Sequence, residues 1–247
     1  MTRKALIIVC PGIEGQSGYL AGTLLDKKNY HDFLYSQIGG DWYHSEITEL
    51  INPTVGDVQR EIKAISQDYS FIVYSGHGGI STTDNTLYLC LTDGDLSINL
   101  LKTTAKRQTI IIDSCRSFFT PSVNDNLVKM MSESISNTIS NARKVFEDGL
   151  AECDEGIIIL YSSKPGQASG DEPRIGGVFS SSLIKVGKEW GKNRGANQIL
   201  SLDTAFNSAV NLIKTNFPLS TQEPEINGGR RNKYFPFALR PGSLIYG

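Results

Sequence analysis

The sequence predicts an α/β protein with a central, mainly parallel sheet and helices on both faces, and three observations lead there. Short continuous apolar runs recur along the chain, stretches of helical periodicity separate them, and Gly, Pro, Asn and Asp punctuate the joints. Runs without polar alternation are what strands buried on both faces require. A length of 247 residues fits one such domain, and nothing in the chain reads as a repeat, a low-complexity tract or a linker between domains.

Lys4 to Pro11 (KALIIVCP) is the first buried strand, closed by Pro-Gly. A glycine-dotted loop, Gly12 to Gly18, leads to a helix over Leu20 to Ile38 that stops at Gly39-Gly40. Ile47 to Ile51 is a short strand, and Asn52-Pro53-Thr54 opens a helix carrying Val55, Val58, Ile62 and Ile65. Asp68 to Tyr74 (DYSFIVY) is a strand that delivers His77 into the turn Ser75-Gly76-His77-Gly78-Gly79. Thr86 to Leu91 is a modest strand, Asp93-Gly94 a turn, and Leu96 to Thr104 a short helix. Arg107 to Asp113 (RQTIIID) is a fully buried strand that ends at Ser114-Cys115-Arg116-Ser117.

From Asn124 to Asp148, Leu127, Met131, Ile135, Ile139, Ala142 and Phe146 recur every three or four positions, which predicts one long amphipathic helix capped by Gly149. Gly156 to Tyr161 is the next buried strand. A polar loop over 162–177 precedes helices at Val178 to Trp190 and Leu200 to Thr215. Tyr234 to Leu239 (YFPFAL) supplies a last strand, which Pro236 makes an edge candidate.

Composition narrows the function classes. Lys and Arg number 24 against 26 Asp and Glu, a net charge of −2, so the basic excess of a nucleic-acid binder is missing. The longest early apolar run, Ala5 to Cys10, is too short to cross a bilayer and no signal-peptide pattern follows it, which makes the cytoplasm the expected address. The cysteines at 10, 90, 115 and 153 show neither CxxC spacing nor a disulfide framework. Cys10 and Cys90 read as strand-core residues, and His31 and His44 as exposed or structural.

His77 and Cys115 stand at the same end of the same kind of element. In a parallel sheet ligands lie beyond the carboxyl ends of the strands, so neighbouring strands would bring an imidazole and a thiol into one crevice. That pair suits nucleophilic attack on an acyl carbon: an ordinary thiol has a pKa of about 8.5, and an adjacent base removes that limit. The amides of Gly78 and Cys115 are candidate oxyanion donors, each worth about 3–4 kcal/mol in a comparable site. The Gly12–Gly18 loop lacks the Lys-Ser or Lys-Thr of a phosphate cradle, and the chain has no G-x-S-x-G elbow of an esterase.

The strand ending Tyr74-Ser75-Gly76-His77-Gly78-Gly79, followed by the strand ending Asp113-Ser114-Cys115-Arg116-Ser117, resembles the catalytic pair of the caspase-like cysteine peptidases, closest to the metacaspase and bacterial caspase-homologue branch. Gly22, Asp26 and Phe33-Leu34 resemble the first helix of that fold, and Gly176-Gly177-Val178-Phe179-Ser180 the helix start of its small-subunit part. The resemblance implies a caspase-like three-layer αβα sandwich spanning 1–247 as one domain, with 120–155 as an inserted, helical intersubunit linker. The chain departs from the animal caspase signature Q-A-C-[RQG]-G: it has D-S-C-R-S, and its histidine lies closer than usual.

An acid two residues before the nucleophile would repel an acidic side chain and attract a cationic one. By resemblance the specificity pocket falls on Thr23, Asp26, Ser75 and Asp113, and two carboxylates favour the bidentate guanidinium of Arg over Lys. The expectation is therefore a cysteine endopeptidase cutting protein or peptide substrates after Arg or Lys, with Cys115 as nucleophile and His77 as base and then acid. Two alternatives stand beside it: a catalytically silent caspase-like scaffold, and a thiol hydrolase acting on non-peptide acyl groups. Lys129, Arg143 and Lys144 are candidate self-cleavage sites that a folded helix would hide. Many metacaspases use calcium, but Asp84, Asp93 and Asp95 include no adjacent pair, and calcium wants about six to eight oxygens, so no metal or other cofactor is expected. No membrane partner is expected; the chain would be a monomer, or a dimer through its last strand.

Overall fold

A computed structural model describes residues 1–119, 141–192 and 198–241. The strands are β1 (Arg3–Cys10), β2 (Ile47–Ile51), β3 (Tyr69–Gly76), β4 (Gly78–Ser81), β5 (Leu87–Leu91), β6 (Gly94–Ser97), β7 (Arg107–Asp113), β8 (Phe118–Phe119), β9 (Gly156–Tyr161), β10 (Asp171–Glu172), β11 (Gly176–Gly177), β12 (Gln198–Ser201), β13 (Glu225–Asn227) and β14 (Pro236–Arg240). The α-helices are α1 (Gly22–Tyr35), α2 (Val55–Ala64), α3 (Asn141–Ala151), α4 (Val178–Lys192) and α5 (Leu202–Asn216).

The main sheet runs β13-β9-β7-β3-β1-β2. Its pairings are parallel except for β13 against β9, which is antiparallel. The two faces of β1 show why these strands read as unbroken apolar runs. Ala5, Ile7 and Val9 pack with Tyr30 and Phe33 of α1, Phe179 of α4 and Phe206 of α5, while Leu6, Ile8 and Cys10 pack with Val58 and Ile62 of α2 and with Ile80, Leu87 and Leu96 of a second sheet. This is the predicted α/β sandwich, with the α2 side completed by that second sheet, ordered β6-β5-β4-β8.

Local chemistry sets the helix starts. Thr54 accepts from the Asp57 amide at 3.0 Å while Asp57 accepts from the Thr54 amide at 3.2 Å, a reciprocal cap on α2.

Several elements differ from the sequence reading. The glycine turn after His77 is β4, the start of the expected helix over Leu96–Thr104 belongs to β6, and only Ile98–Leu101 forms a single tight helical turn. The last strand does not join the main sheet: β14 pairs antiparallel with β12 in a sheet of their own, and the main-sheet edge is taken by β13. Phe237, Ala238 and Leu239 are buried within the chain itself. Of the linker helix only α3 is described; Lys129 and the stretch 120–140 lie outside the described residues.

Candidate active site

β3 and β7 are adjacent and in register to Ser75 opposite Asp113, so His77 and Cys115, each two residues further on, leave the sheet side by side at its carboxyl edge. Both line one cavity of about 60 Å³, together with Thr23, Ser75, Asp113 and Asp171. A larger polar hollow of about 460 Å³, walled by Arg3, Lys4, Glu46 and Arg143, holds none of these groups.

His77 Nε2 lies 2.5 Å from the carbonyl oxygen of Gly18. A carbonyl only accepts, so Nε2 carries the proton in the neutral ring and the lone pair resides on Nδ1. The loop that presents this carbonyl is tied at both ends. Leu20 N–H donates to Pro11 O at 2.8 Å, and the Asn52 side chain exchanges two 3.1 Å hydrogen bonds with the Gly12 backbone. Tyr74 OH (2.6 Å) and the Cys90 amide (3.0 Å) both donate to the His77 carbonyl, which fixes the backbone of His77.

Cys115 receives the Ser169 amide on its sulfur at 3.4 Å. The following residue, Arg116, pins the turn: it donates to Ser163 O at 2.9 Å and to Glu225 at 2.6 Å, and its guanidinium lies 4.2 Å from the Tyr161 ring centre. The other thiols are set apart. Burial pushes Cys10 and Cys90 up to about 12, and Cys153 is buried with its thiol donating to Gly149 and Tyr234 carbonyls.

Gly78 cannot be enlarged cheaply, because an added Cβ would lie 2.9 Å from both Ser114 Oγ and the Tyr88 carbonyl. Gly78→Ala is expected to displace β4 and its first amide, lowering kcat by about 10²-fold or more with the fold intact by circular dichroism. A kcat within twofold of wild type would remove Gly78 from the oxyanion role.

Three carboxylates gather beside His77 and Cys115. Asp26, fully buried on α1, accepts from the Gly177 amide at 2.9 Å and from Ser75 OH at 2.6 Å. Asp113 accepts from Ser169 OH at 2.7 Å and from the Ser180 amide at 2.9 Å. Gly177 and Ser180 flank the start of α4, so free amides of one helix terminus serve both acids. At Gly177 a Cβ would approach Asp113 Oδ2 to 2.3 Å, which is why glycine stands there.

Asp171, which sequence reasoning missed, is half-buried on β10. It takes the Gly22 amide on Oδ2 at 3.3 Å, while its buried Oδ1 has no hydrogen-bond partner. Thr23 spends its hydroxyl on Leu20 O at 2.9 Å. Asp26 lies behind Ser75 and Gly177 rather than on the cavity wall, so the wall carboxylates are Asp113 and Asp171. The only prior hint of Asp171 was an acid in the polar loop just before the Gly176-Gly177 helix start.

Burial, and then the charge of Asp113, hold the Asp26 carboxyl well above the ordinary carboxylate range. A raised folded-state value means this site's contribution to stability is full below the unfolded value of about 3.9 and is lost as pH rises through the folded one. Asp26→Asn keeps the shape without that loss. Its Tm is expected to gain on wild type as pH rises, by about 2–4 °C for each kcal/mol relieved in a domain of this size. A difference in Tm that does not change with pH would contradict this account of Asp26.

The remaining sequence candidates sit elsewhere. Arg143 is buried and paired with Glu46 at 2.6 Å, and Lys144 is exposed on α3 and bonded to Asp148 at 2.6 Å. Asp93 caps α2 through the Val55 amide at 2.7 Å, and Asp84 accepts from Thr86 and Tyr88. His31 bonds Glu49 at 2.6 Å and His44 stacks on Tyr35.

Fold and cavity define a protein of the caspase-like cysteine peptidase class. The sequence model of the caspase domain matches residues 2–236, and the chain belongs to that family. Among solved structures, the crystal structure of caspase-1 from Spodoptera frugiperda superposes with a TM-score of 0.62 over 95% of this chain and 91% of that one, at 15% identity, a likeness of fold. No curated protein sequence matches. Among the described residues no helix is long and apolar enough to cross a membrane.

Proposed function

We propose that this chain is a cysteine endopeptidase that cleaves proteins after a basic residue, Arg in preference to Lys, with Cys115 and His77 as a catalytic dyad. The observation that carries the proposal is the single small cavity that joins Cys115 and His77 to the wall carboxylates Asp113 and Asp171.

In this reading His77 Nδ1 takes the Cys115 proton as sulfur attacks the scissile carbonyl, and the charge formed on oxygen is received by the amides of Gly78 and Cys115. Collapse breaks the C–N bond, and the same nitrogen returns the proton to the leaving amine. Water, deprotonated by His77, then frees the acyl group. The Gly18 carbonyl keeps Nε2 protonated and steadies the imidazolium that forms in between. The chemistry uses no metal.

Asp113, held by two neutral donors, and Asp171, with one unpartnered oxygen, supply the charge that a guanidinium needs; Asp26 supports them from behind through Ser75 and Gly177. Self-cleavage at Arg143 or Lys144 would require α3 to unwind, since a peptidase binds extended backbone; Lys129 remains a third candidate. Cleavage profiling on a peptide library tests the proposal: cuts after Arg above Lys, absent in Cys115→Ala, are expected. Equal cutting after Asp and Arg would defeat the pocket assignment, and no turnover on any Arg or Lys peptide would favour the scaffold reading.

A further inference from the structure

Asp26, Asp113 and Asp171 are brought together with no Lys or Arg among the described donors to their oxygens. Every donor to their oxygens is neutral: the hydroxyls of Ser75 and Ser169 and the amides of Gly177, Ser180 and Gly22. The facing titratable groups give little relief. From α1 comes Tyr30, whose OH donates to Ser180 at 3.2 Å and whose field reaches Asp26 and Asp113; from β10 comes Glu172, a further acid; and from the end of β3 comes His77, whose ring can carry positive charge. Asp171 adds a buried oxygen with nothing to bond.

Like charges withdrawn from water cannot all ionise side by side. We propose that the empty pocket keeps one proton on the carboxyl groups of Asp26 and Asp171, packed around Asp113, and that a cationic side chain of the substrate residue before the cut (P1) expels it to water on docking, so that pH sets the preference for basic over neutral residues. The inference rests on the basic-P1 reading above and adds its regulation. The balance is one proton out for one positive charge in, with no bond made or broken in the substrate. Burial raises both Asp26 and Asp171, in line with a retained proton.

The test compares two peptide reporters identical except at P1, one with Arg and one with citrulline, which keeps the shape of the guanidinium without its charge. Ionisation of Cys115 and His77 acts on both reporters and cancels in the ratio of their kcat/KM values. If the citrulline peptide is not cut, both peptides are compared instead by their Kd values for Cys115→Ala, so that the two readouts stay of one kind. The Arg-to-citrulline ratio is expected to climb with pH by up to about tenfold per unit and then level off, the signature of one linked proton. In Asp171→Asn, and in Asp26→Asn as a second variant, the climb should shrink. A wild type that cuts after Arg with the same ratio at about pH 5 and about pH 8 would overturn the inference and leave the basic-P1 reading standing. A wild type that cuts after neither Arg nor Lys sinks that reading itself.

Discussion

Cys115→Ala is expected to lose turnover by a factor of about 10⁶, and His77→Ala by nearly as much, because residues that act as one unit fail together. The double variant should be little worse than either single one. The measurement is single-turnover cleavage of an Arg reporter, with iodoacetamide labelling as a second readout. Label should fall on Cys115 in the wild type and be lost in the alanine variant, while Cys10 and Cys90, held up to about 12 by burial, stay unmodified at neutral pH. If Cys115→Ala keeps more than a hundredth of the activity, the nucleophile has been misassigned. The substitution is small and the residue half-buried, so unfolding would not excuse that outcome.

Asp113→Asn should cost about 10²–10³-fold in kcat/KM on an Arg reporter, the range for removing one partner of a desolvated charge pair. The loss should vanish on a citrulline reporter, since the amide oxygen can still accept the Ser180 N–H while its NH2 donates to the Ser169 hydroxyl oxygen. That contrast separates a reader of charge from a prop for the neighbouring nucleophile. Equal losses on the two reporters would make Asp113 a positioning residue for Cys115 and move cation recognition to Asp171.

The parts of the molecule that could be read from the chain are those whose environment is symmetric. β1, β3, β7 and β9 pack against neighbours on both faces, so each became an apolar run, and the runs of β3 and β7 end where their chemistry begins. Strands made by pairing alone left no such trace. β4 is Gly-Gly-Ile-Ser, which reads as a turn; it is a strand because β5 and β8 flank it, with Gly79 so close to Phe119 that a Cβ would come within 2.6 Å of the ring. β13 has only three residues and owes its place to β9, and the four residues of β12 owe theirs to β14, a legible run that lies beyond a whole helix.

The site divides in the same way. His77, Cys115 and Asp113 are side chains at strand ends and could be named from the sequence. The Gly18 carbonyl and the Ser169 amide are main-chain atoms, which every residue possesses and no motif announces. Asp171 hid in a loop of turn-forming residues; the fold brings it to the cavity wall and leaves its buried Oδ1 without a donor.

The partner of the His77 ring has a consequence for how this protein tolerates variation. Where an aspartate orients a histidine, one codon change removes it; here the acceptor belongs to the peptide backbone, and a side-chain exchange can act on it only by moving that backbone. Only a shift of the segment between Pro11 and Leu20 removes it, so insertions and deletions there should be far more damaging than replacements, except where a replacement disturbs the left-handed backbone of Gly18 itself.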